Sequence, residues 1–133
     1  MELSRRLRQL EENIILLEEL RESISQAELL QNRRLEWELR YGLFESIQIV
    51  IDIACKITNR YNLGNPKNYR ECIELLGRHR YLKRESAHAF ISMVGLRNLL
   101  IHEYAEIDSA KLYAFLDRLD DFKSFITQIY TAL

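Results

Sequence analysis

The stretch Arg33–Arg60, RRLEWELRYGLFESIQIVIDIACKITNR, determines the fold class of this chain. Its apolar residues recur at steps of three and four, which places them on one face of an α-helix. The run Tyr61-Asn62-Leu63-Gly64-Asn65-Pro66 comes next, and its Gly, Asn and Pro residues are typical of a helix end. We therefore expect one long amphipathic helix from about Arg33 to Arg60, closed by a loop. The residues of its apolar stripe are Leu35, Leu39, Leu43, Ile47, Val50, Ala54 and Ile57.

The segments on either side repeat this helical period. Before Arg33, leucines and isoleucines predict a first amphipathic helix, and weak helix formers in the range 23–33 predict a break there. After the loop, a short helix is expected over about residues 68–76, with Gly77 at its end. A further helix is expected from near residue 84 to about residue 102.

The C-terminal segment begins with a helix-capping pattern. Asp108 can cap a helix whose Leu112 would pack against Ile107 as a hydrophobic staple. The apolar spacing from there to Leu133 predicts the last helix, and no segment has the period of a strand. The sequence therefore predicts an all-α, up-and-down bundle of four to five helices without strands, with residues 61–84 as its one irregular part.

The composition agrees with a helical globule. Of the 133 residues, 47% are hydrophobic and 29% are charged, and only 4 Gly and 1 Pro are present. Such a chain can bury one core but is too short for two. It lacks the polar bias of disordered proteins and the Gly and Pro content of turn-rich β folds. We therefore expect a single domain over residues 1–133.

Charge and hydropathy limit the classes of partner and location. Nineteen Lys and Arg against 20 Asp and Glu give a net charge of −1, so no overall positive field attracts nucleic acid or an anionic membrane. The N-terminus is charged where a signal peptide needs an apolar run, and no uncharged run approaches the roughly 18 to 20 residues of a membrane span. We expect a cytoplasmic protein that does not bind membranes.

The two cysteines, Cys55 and Cys72, form no local motif. They have neither the spacing of a CxxC unit nor the disulfide framework of a small secreted protein. We expect two reduced, mostly buried thiols without a catalytic role.

One compact polar block stands at the end of the helix predicted over residues 84–102, with the sequence RNLLIHEY at residues 97–104. It combines the cation of Arg97, the amide of Asn98, the imidazole of His102 and the phenol of Tyr104. On a regular helix Asn98 and His102 are neighbours one turn apart, whereas Arg97 and His102 point about 140° apart. One helix would therefore present Arg97 and His102 poorly to one phosphate, and a second copy of the chain could supply the complementary group.

The same block also fits a structural role. Arg and His side chains near a helix end often bind the last carbonyls and stabilise the helix dipole, and Tyr104 could pack in the core or stack on a substrate. The commonest enzyme signatures, a glycine-rich phosphate loop, GxSxG and HExxH, are missing from the sequence. The three histidines, His79, His88 and His102, lack metal-binding spacing. The polar block is thus the main candidate for chemistry.

The polar block resembles the R-x4-6-H signature of HEPN ribonucleases. Arg97, the polar Asn98 and His102 fit this signature, and Tyr104 completes the R-N-x3-H-x-Y form found in HepT toxins. The first 60 residues are similar to HepT-like chains in helical pattern only. The further points of similarity, over roughly residues 60–133, are Asn65-Pro66, Tyr69, the apolar run 73–76 and the helix restart at 107–113.

This resemblance implies a HEPN-like fold and a metal-independent endoribonuclease toxin that needs no cofactor. It implies that Arg97, Asn98 and His102 of both subunits of a homodimer meet in an interface cleft. RNA then supplies its own 2′-hydroxyl nucleophile, while His102 moves protons and Arg97 stabilises negative charge on the phosphate. Asn98 would orient His102 or donate to the phosphate.

The resemblance also implies a protein partner. HepT-like toxins are neutralised by a minimal nucleotidyltransferase antitoxin, MntA, that transfers AMP onto the toxin, and toxin and antitoxin could form a larger hetero-complex. Tyr104 is the acceptor to which the resemblance points. A nucleotide attached two residues from His102 would exclude the RNA backbone by bulk and by negative charge.

The connector before the motif-bearing helix is basic. Residues 67–84 include six Lys and Arg against two Glu. Some of these cations could hold RNA phosphates, with Tyr81 stacked on a base, although a solvated loop explains the same charges equally well. His79 shares this ambiguity, and we expect His88 to be a half-buried helix residue. The residues expected to contact RNA are Arg78, Arg80, Lys83 and Arg84.

Two other functions stay open on the sequence. One is a noncatalytic helical module that binds nucleotides or assists a nucleotidyltransferase, a role to which HEPN-like domains are also similar. The other is a purely structural dimerisation bundle, for which the apolar first and last helices would suffice. Replacement of Arg97 or His102 by Ala distinguishes them, because only a ribonuclease has RNA cleavage to lose.

Overall fold

The structure is a computed structural model that describes residues 2–102 and 107–133. These residues form helices without strands, which confirms the all-α prediction, and two short helices add to the long ones. The helices are α1 (Glu2–Ser23), α2 (Gln26–Gln31), α3 (Arg33–Arg60), α4 (Tyr69–Arg78), α5 (Arg84–His102), α6 (Ser109–Ala114) and α7 (Leu119–Ala132), with a 3₁₀ turn at Phe115–Arg118.

Side-chain caps set several of the helix boundaries. The predicted break after α1 is confirmed, because Ser25 forms a capping box with Glu28 and starts the short helix α2. Asn32 then accepts hydrogen bonds from the first amides of α3. Asn68 caps α4 in the same way, and the predicted cap of Asp108 on α6 is confirmed by its bond from the amide of Ala110, at 3.0 Å.

Helix α3 is the central element of the bundle. It packs against α1, α4 and α5, while α5 also contacts α7. The apolar faces of the helices join in one hydrophobic core, in which Phe90 of α5 meets Phe122 and Phe125 of α7 edge to face. No helix in the described ranges is long and apolar enough to cross a membrane.

The end of α4 differs from the prediction that Gly77 terminates it. The helix continues through Gly77 to Arg78, and the left-handed residue beyond it is Arg80, with φ of 66°. Gly77 instead permits a close approach of α4 to α5, because a Cβ at this position would lie 3.1 Å from the Cβ of Ala87. Glycine here therefore serves helix packing rather than helix termination.

The prediction of two reduced thiols is wrong. Cys55 of α3 and Cys72 of α4 form a disulfide, with their Cα atoms 5.0 Å apart. The two residues are 17 positions apart and share no local motif, so only the packing of α4 on α3 brings them together. The bond ties the motif-supporting part of α3 to the short helix α4.

Candidate active site

The side chain of Arg97 is held by hydrogen bonds on two sides. Its Nε donates to Oε1 of Gln48 on α3, at 2.9 Å, and its Nη1 donates to Oδ1 of Asn98, at 3.0 Å. Arg97 itself is half-buried on α5, while Asn98 is exposed. The guanidinium therefore has a defined orientation at the surface of the bundle.

Two aromatic rings flank the same guanidinium. The Cζ atom of Arg97 lies 5.0 Å from the ring centroid of Tyr69 and 5.9 Å from that of Phe44. Both distances are within the range of cation–π attraction. Tyr69 is the first residue of α4 and Phe44 belongs to α3, so three helices contribute to the position of one arginine.

Sequence reasoning missed the support that α3 gives to Arg97. Gln48 also donates, through Nε2, to Oδ1 of Asp52 at 2.9 Å, and the second oxygen of Asp52 pairs with Arg6 of α1. A signal for this support is present in the sequence. Gln48 and Asp52 are the only polar residues in the apolar run 47–55, a part of α3 without an exposed residue, so they need polar partners inside the bundle.

The other residues of the predicted motif lie on the last two turns of α5. His102 is exposed, and its side chain makes no hydrogen bond with residues in the described ranges. Asn98 accepts from Arg97 rather than orienting His102. Arg97 is directed towards α3, so the described contacts of this one chain do not bring Arg97 and His102 together.

Tyr104, the predicted acceptor of AMP, lies outside the described residues. The carbonyl of Ile107, the first described residue after this gap, accepts a hydrogen bond from the buried Arg40 of α3, at 3.3 Å. The start of α6 is therefore fixed to the same central helix that supports Arg97.

An apolar groove of about 400 Å³ adjoins this polar cluster. Phe44, which contacts Arg97, is also part of the groove wall. Three large side chains around it are well exposed: Trp37 at 56%, Tyr41 at 62% and Ile101 at 41%. Apolar surface of this kind beside a polar cluster is typical of a binding site for another molecule. The groove is lined by Trp37, Arg40, Tyr41, Phe44, Leu100 and Ile101.

The four residues predicted to contact RNA are all exposed, but they fall into two grooves. Arg78 and Arg84 line a groove between α4 and α5 together with Arg70 and His88. Arg80 and Lys83 line a second groove, towards α7, in which Arg84 also takes part. The first groove also contains Glu74, which pairs with Arg70, whereas no acidic residue in the described part of the chain lines the second groove.

Three details of the connector bear on these predictions. Tyr81 is stacked on Tyr61, with ring centroids 6.1 Å apart, and its stacking on an RNA base stays a prediction. The ring of His79 is hydrogen-bonded to the carbonyl of Leu63, at 3.1 Å, and thereby holds the loop before α4. His88 is exposed rather than half-buried.

The helical bundle and the Arg97-x4-His102 spacing at the end of α5 are those of a HEPN protein. A family model described as Ribonuclease HepT-like matches residues 10–129. Because this match covers most of the chain, the chain belongs to the HepT-like ribonuclease family.

Individual relatives agree with this family. The chain is 32% identical over 80 residues to the mRNA nuclease HepT of Shewanella oneidensis, an alignment that covers 59% of this chain and 60% of the relative. Its fold is similar to that of the tri-AMPylated HEPN toxin of Shewanella oneidensis, solved in complex with an MNT antitoxin. That comparison gives a TM-score of 0.88 and 25% identity, and it covers 97% of this chain and 96% of the other.

A third relative agrees in fold alone. YutE, a cytosolic protein of unknown function from Bacillus subtilis, is 16% identical, with a TM-score of 0.87 and coverage of 99% of this chain and 88% of YutE. The helical scaffold is therefore shared well beyond the range of clear sequence similarity.

Proposed function

We propose that this chain is a metal-independent endoribonuclease, the toxin of a toxin–antitoxin pair, which acts in the cytoplasm as a homodimer. The observation that carries the proposal is the fixed guanidinium of Arg97, bonded to Asn98, on the same helix end as the exposed side chain of His102. Membership of the HepT-like ribonuclease family supports the same function.

The proposed reaction uses the nucleophile that RNA itself contains. The 2′-oxygen attacks the adjacent phosphorus, and its proton passes to the imidazole of His102. The bond from phosphorus to the 5′-oxygen breaks, that oxygen takes a proton from water, and His102 returns its proton to the solvent. The products are a 2′,3′-cyclic phosphate and a 5′-hydroxyl. Arg97 binds the phosphate oxygens and stabilises the negative charge that develops on them.

A homodimer would complete this site. Arg97 faces α3, and His102 projects from the end of α5, so the two groups of one chain are poorly placed for one phosphate. The exposed Trp37 and Ile101 give the groove beside Arg97 the apolar character of a subunit interface. A second copy seated on this groove would bring its own α5 terminus, with His102, towards Arg97.

The groove between α4 and α5 is the proposed path of the RNA backbone. Its cations Arg70, Arg78 and Arg84 and the exposed His88 lie on the two helices that also carry Tyr69 and Arg97. Residues 84 and 97 of α5 are separated by about 20 Å along the helix axis, which is enough for a few nucleotides of single-stranded RNA. Arg80 and Lys83 would contact RNA beyond this groove.

The proposed partner is a nucleotidyltransferase antitoxin that adenylylates Tyr104. A similar fold has been solved as an AMPylated HEPN toxin with an MNT antitoxin, which supports this partner. The larger assembly of toxin and antitoxin belongs to the same proposal.

Cleavage of a short RNA by the purified chain tests the proposed function. We expect the wild type to cut the RNA in the presence of EDTA and to leave a cyclic phosphate. It should fail on the same strand with a 2′-deoxy sugar at the cut site, because the nucleophile is then missing. His102→Ala should be inactive at an unchanged melting temperature. Cutting of the deoxy strand would contradict the mechanism, and a wild type without any cleavage would favour the noncatalytic nucleotide-binding or accessory module.

A further inference from the structure

Gln48 and Asp52 form a polar pair in the most apolar part of α3. Their neighbours in the chain, Ile47, Ile49, Ile51 and Ile53, are buried to 1% exposure or less, whereas Gln48 and Asp52 are half-buried. They lie one turn apart, and Gln48 contacts Arg97 of α5 while Asp52 contacts Arg6 of α1. Polar groups in such surroundings destabilise a fold unless they are hydrogen-bonded, so their partners explain why they are tolerated.

The partners of this pair fix the orientation of the Gln48 amide. The carboxylate of Asp52 can only accept hydrogen bonds, and the guanidinium of Arg97 can only donate them. The NH₂ group of Gln48 must therefore face Asp52, and its carbonyl oxygen must face Nε of Arg97, as the two bonds of 2.9 Å show. Asp52 is itself held by Arg6, so the chain of contacts ends on α1.

This arrangement leaves Nη2 of the Arg97 guanidinium without a hydrogen-bond partner among the residues that the structure describes. Nε is occupied by Gln48 and one Nη1 proton by Asn98. The rings of Tyr69 and Phe44 flank the same group. A guanidinium binds phosphate best through two neighbouring N–H groups, and the edge formed by Nη1 and Nη2 has the required geometry.

We infer that Gln48, oriented by Asp52, is a positioning residue for the proposed ribonuclease reaction: it holds Arg97 so that its Nη1–Nη2 edge faces the scissile phosphate. The inference rests on the proposed function. Displacement of a catalytic group by about 1 Å can reduce a rate by about a hundredfold, so a side chain that never touches RNA can control the rate in this way.

Substitution of Gln48 by Leu tests the inference. Leu is similar in size but cannot accept from Arg97, so we expect kcat to fall by roughly ten- to a hundredfold while KM changes less than about threefold. The matched control is Thr58→Val on the same helix, which removes a buried hydrogen bond to the carbonyl of Ala54 far from Arg97. We expect Thr58→Val to lose about as much thermal stability as Gln48→Leu but to keep the wild-type kcat.

A double exchange distinguishes positioning from simple folding support. In Gln48→Glu alone, the carboxylates at positions 48 and 52 lie one turn apart and repel each other, so kcat should be well below that of the wild type. In the double variant Gln48→Glu with Asp52→Asn, the new carboxylate at position 48 still accepts a hydrogen bond from Arg97. The new amide at position 52 donates to that carboxylate through its NH₂ group, and its oxygen still accepts from Arg6. Net charge and both hydrogen bonds are kept, so we expect kcat to return to within about threefold of wild type.

A spectroscopic readout decides the same question without RNA. The Nε–H signal of Arg97 in a ¹⁵N-arginine NMR spectrum, assigned with Arg97→Lys, should exchange slowly in the wild type and in the double variant, and rapidly in Gln48→Leu. An unchanged signal or an unchanged kcat in Gln48→Leu would overturn the inference, and so would a double variant that recovers the signal without recovering kcat. If the wild type cuts no RNA, the proposed function fails, while the NMR signal still shows whether Gln48 holds Arg97.

Discussion

The guanidinium of Arg97 lies against the ring of Tyr69, with the Cζ atom 5.0 Å from the ring centroid, although the two residues belong to different helices. Tyr69 starts α4 directly after the cap of Asn68, so the capping of this short helix also sets the position of the ring. The exposed part of Tyr69, 43% of its surface, stays accessible to a ligand of Arg97.

Loss of the Tyr69 ring should weaken catalysis moderately. A cation–π contact contributes roughly 0.5 to 2 kcal/mol, so Tyr69→Leu should lower kcat/KM by about two- to thirtyfold. Tyr69→Phe keeps the ring face and should stay near wild type. Single-turnover cleavage of one RNA measures both variants. A loss in Tyr69→Phe as large as that in Tyr69→Leu would show that the hydroxyl matters instead of the ring face.

A site shared by two subunits should be restored by mixing two inactive variants. Arg97→Ala and His102→Ala are each expected to be inactive as homodimers. In the mixed dimer, one of the two sites combines an intact Arg97 with an intact His102 of the other chain, so cleavage should return to about half of the wild-type activity per mixed dimer. Co-expression with two different tags isolates that dimer. A mixed dimer without activity would contradict a site that joins Arg97 of one chain to His102 of the other.

Charge reversal in the groove between α4 and α5 should weaken RNA binding. Arg78→Glu with Arg84→Glu should raise Kd severalfold. It should also lower the slope of log Kd against log salt by roughly one to two, because fewer counterions are released. The matched control is Arg5→Glu with Arg8→Glu, which makes the same change of charge on exposed positions of α1. Fluorescence anisotropy at several salt concentrations gives both quantities. Equal effects of the two double variants would indicate general electrostatics rather than a defined groove.

Adenylylation by the antitoxin should depend on Tyr104. Incubation of the chain with a cognate nucleotidyltransferase and ATP should add one or more adenylate units, seen by intact-protein mass spectrometry, and should abolish RNA cleavage by repulsion of the phosphate backbone. Tyr104→Phe should stay unmodified. Tyr113→Phe is the control, since Tyr113 is half-buried and bonded to the carbonyl of Ile24. Equal labelling of wild type and Tyr104→Phe would place the acceptor elsewhere.

Reduction of the bond between Cys55 and Cys72 should destabilise the bundle. A cross-link over 17 residues restricts the unfolded chain and contributes about 3 kcal/mol to the free energy of unfolding, or about 10 °C in Tm. Calorimetry with and without a reductant measures the shift, and Cys55→Ser with Cys72→Ser should be insensitive to the reductant. If the Tm of the wild type is the same with and without the reductant, the disulfide does not form in solution.

Helical periodicity predicted the long helices because their apolar residues face one core. The stripe from Leu39 to Ile57 of α3 is buried as expected, and side-chain caps account for the breaks. The predicted helix end at Gly77 is wrong because this glycine allows α4 to pack closely against Ala87 of α5, a contact between helices. Local sequence patterns do not contain such contacts.

Only those residues of the candidate site that lie close together in the sequence could be predicted from it. Arg97, Asn98 and His102 lie close together in the sequence, so their spacing could be recognised. Gln48 and Tyr69, which hold Arg97, lie 49 and 28 positions away. The pairing of Cys55 with Cys72 depends on the same packing of α4 against α3. Only the fold decides which distant residues support the motif.

A second row of side chains along α3, apart from its core stripe, consists of Tyr41, Phe44, Gln48, Asp52 and Cys55. These residues follow one another at steps of three or four, so they form a single ridge on the helix. The ridge runs from the apolar groove through the support of Arg97 to the disulfide. In a genetic selection for cells that survive expression of this chain, escape mutations should therefore gather on this ridge as well as in the R-x4-H motif, and they should yield proteins that accumulate normally but no longer harm the cell.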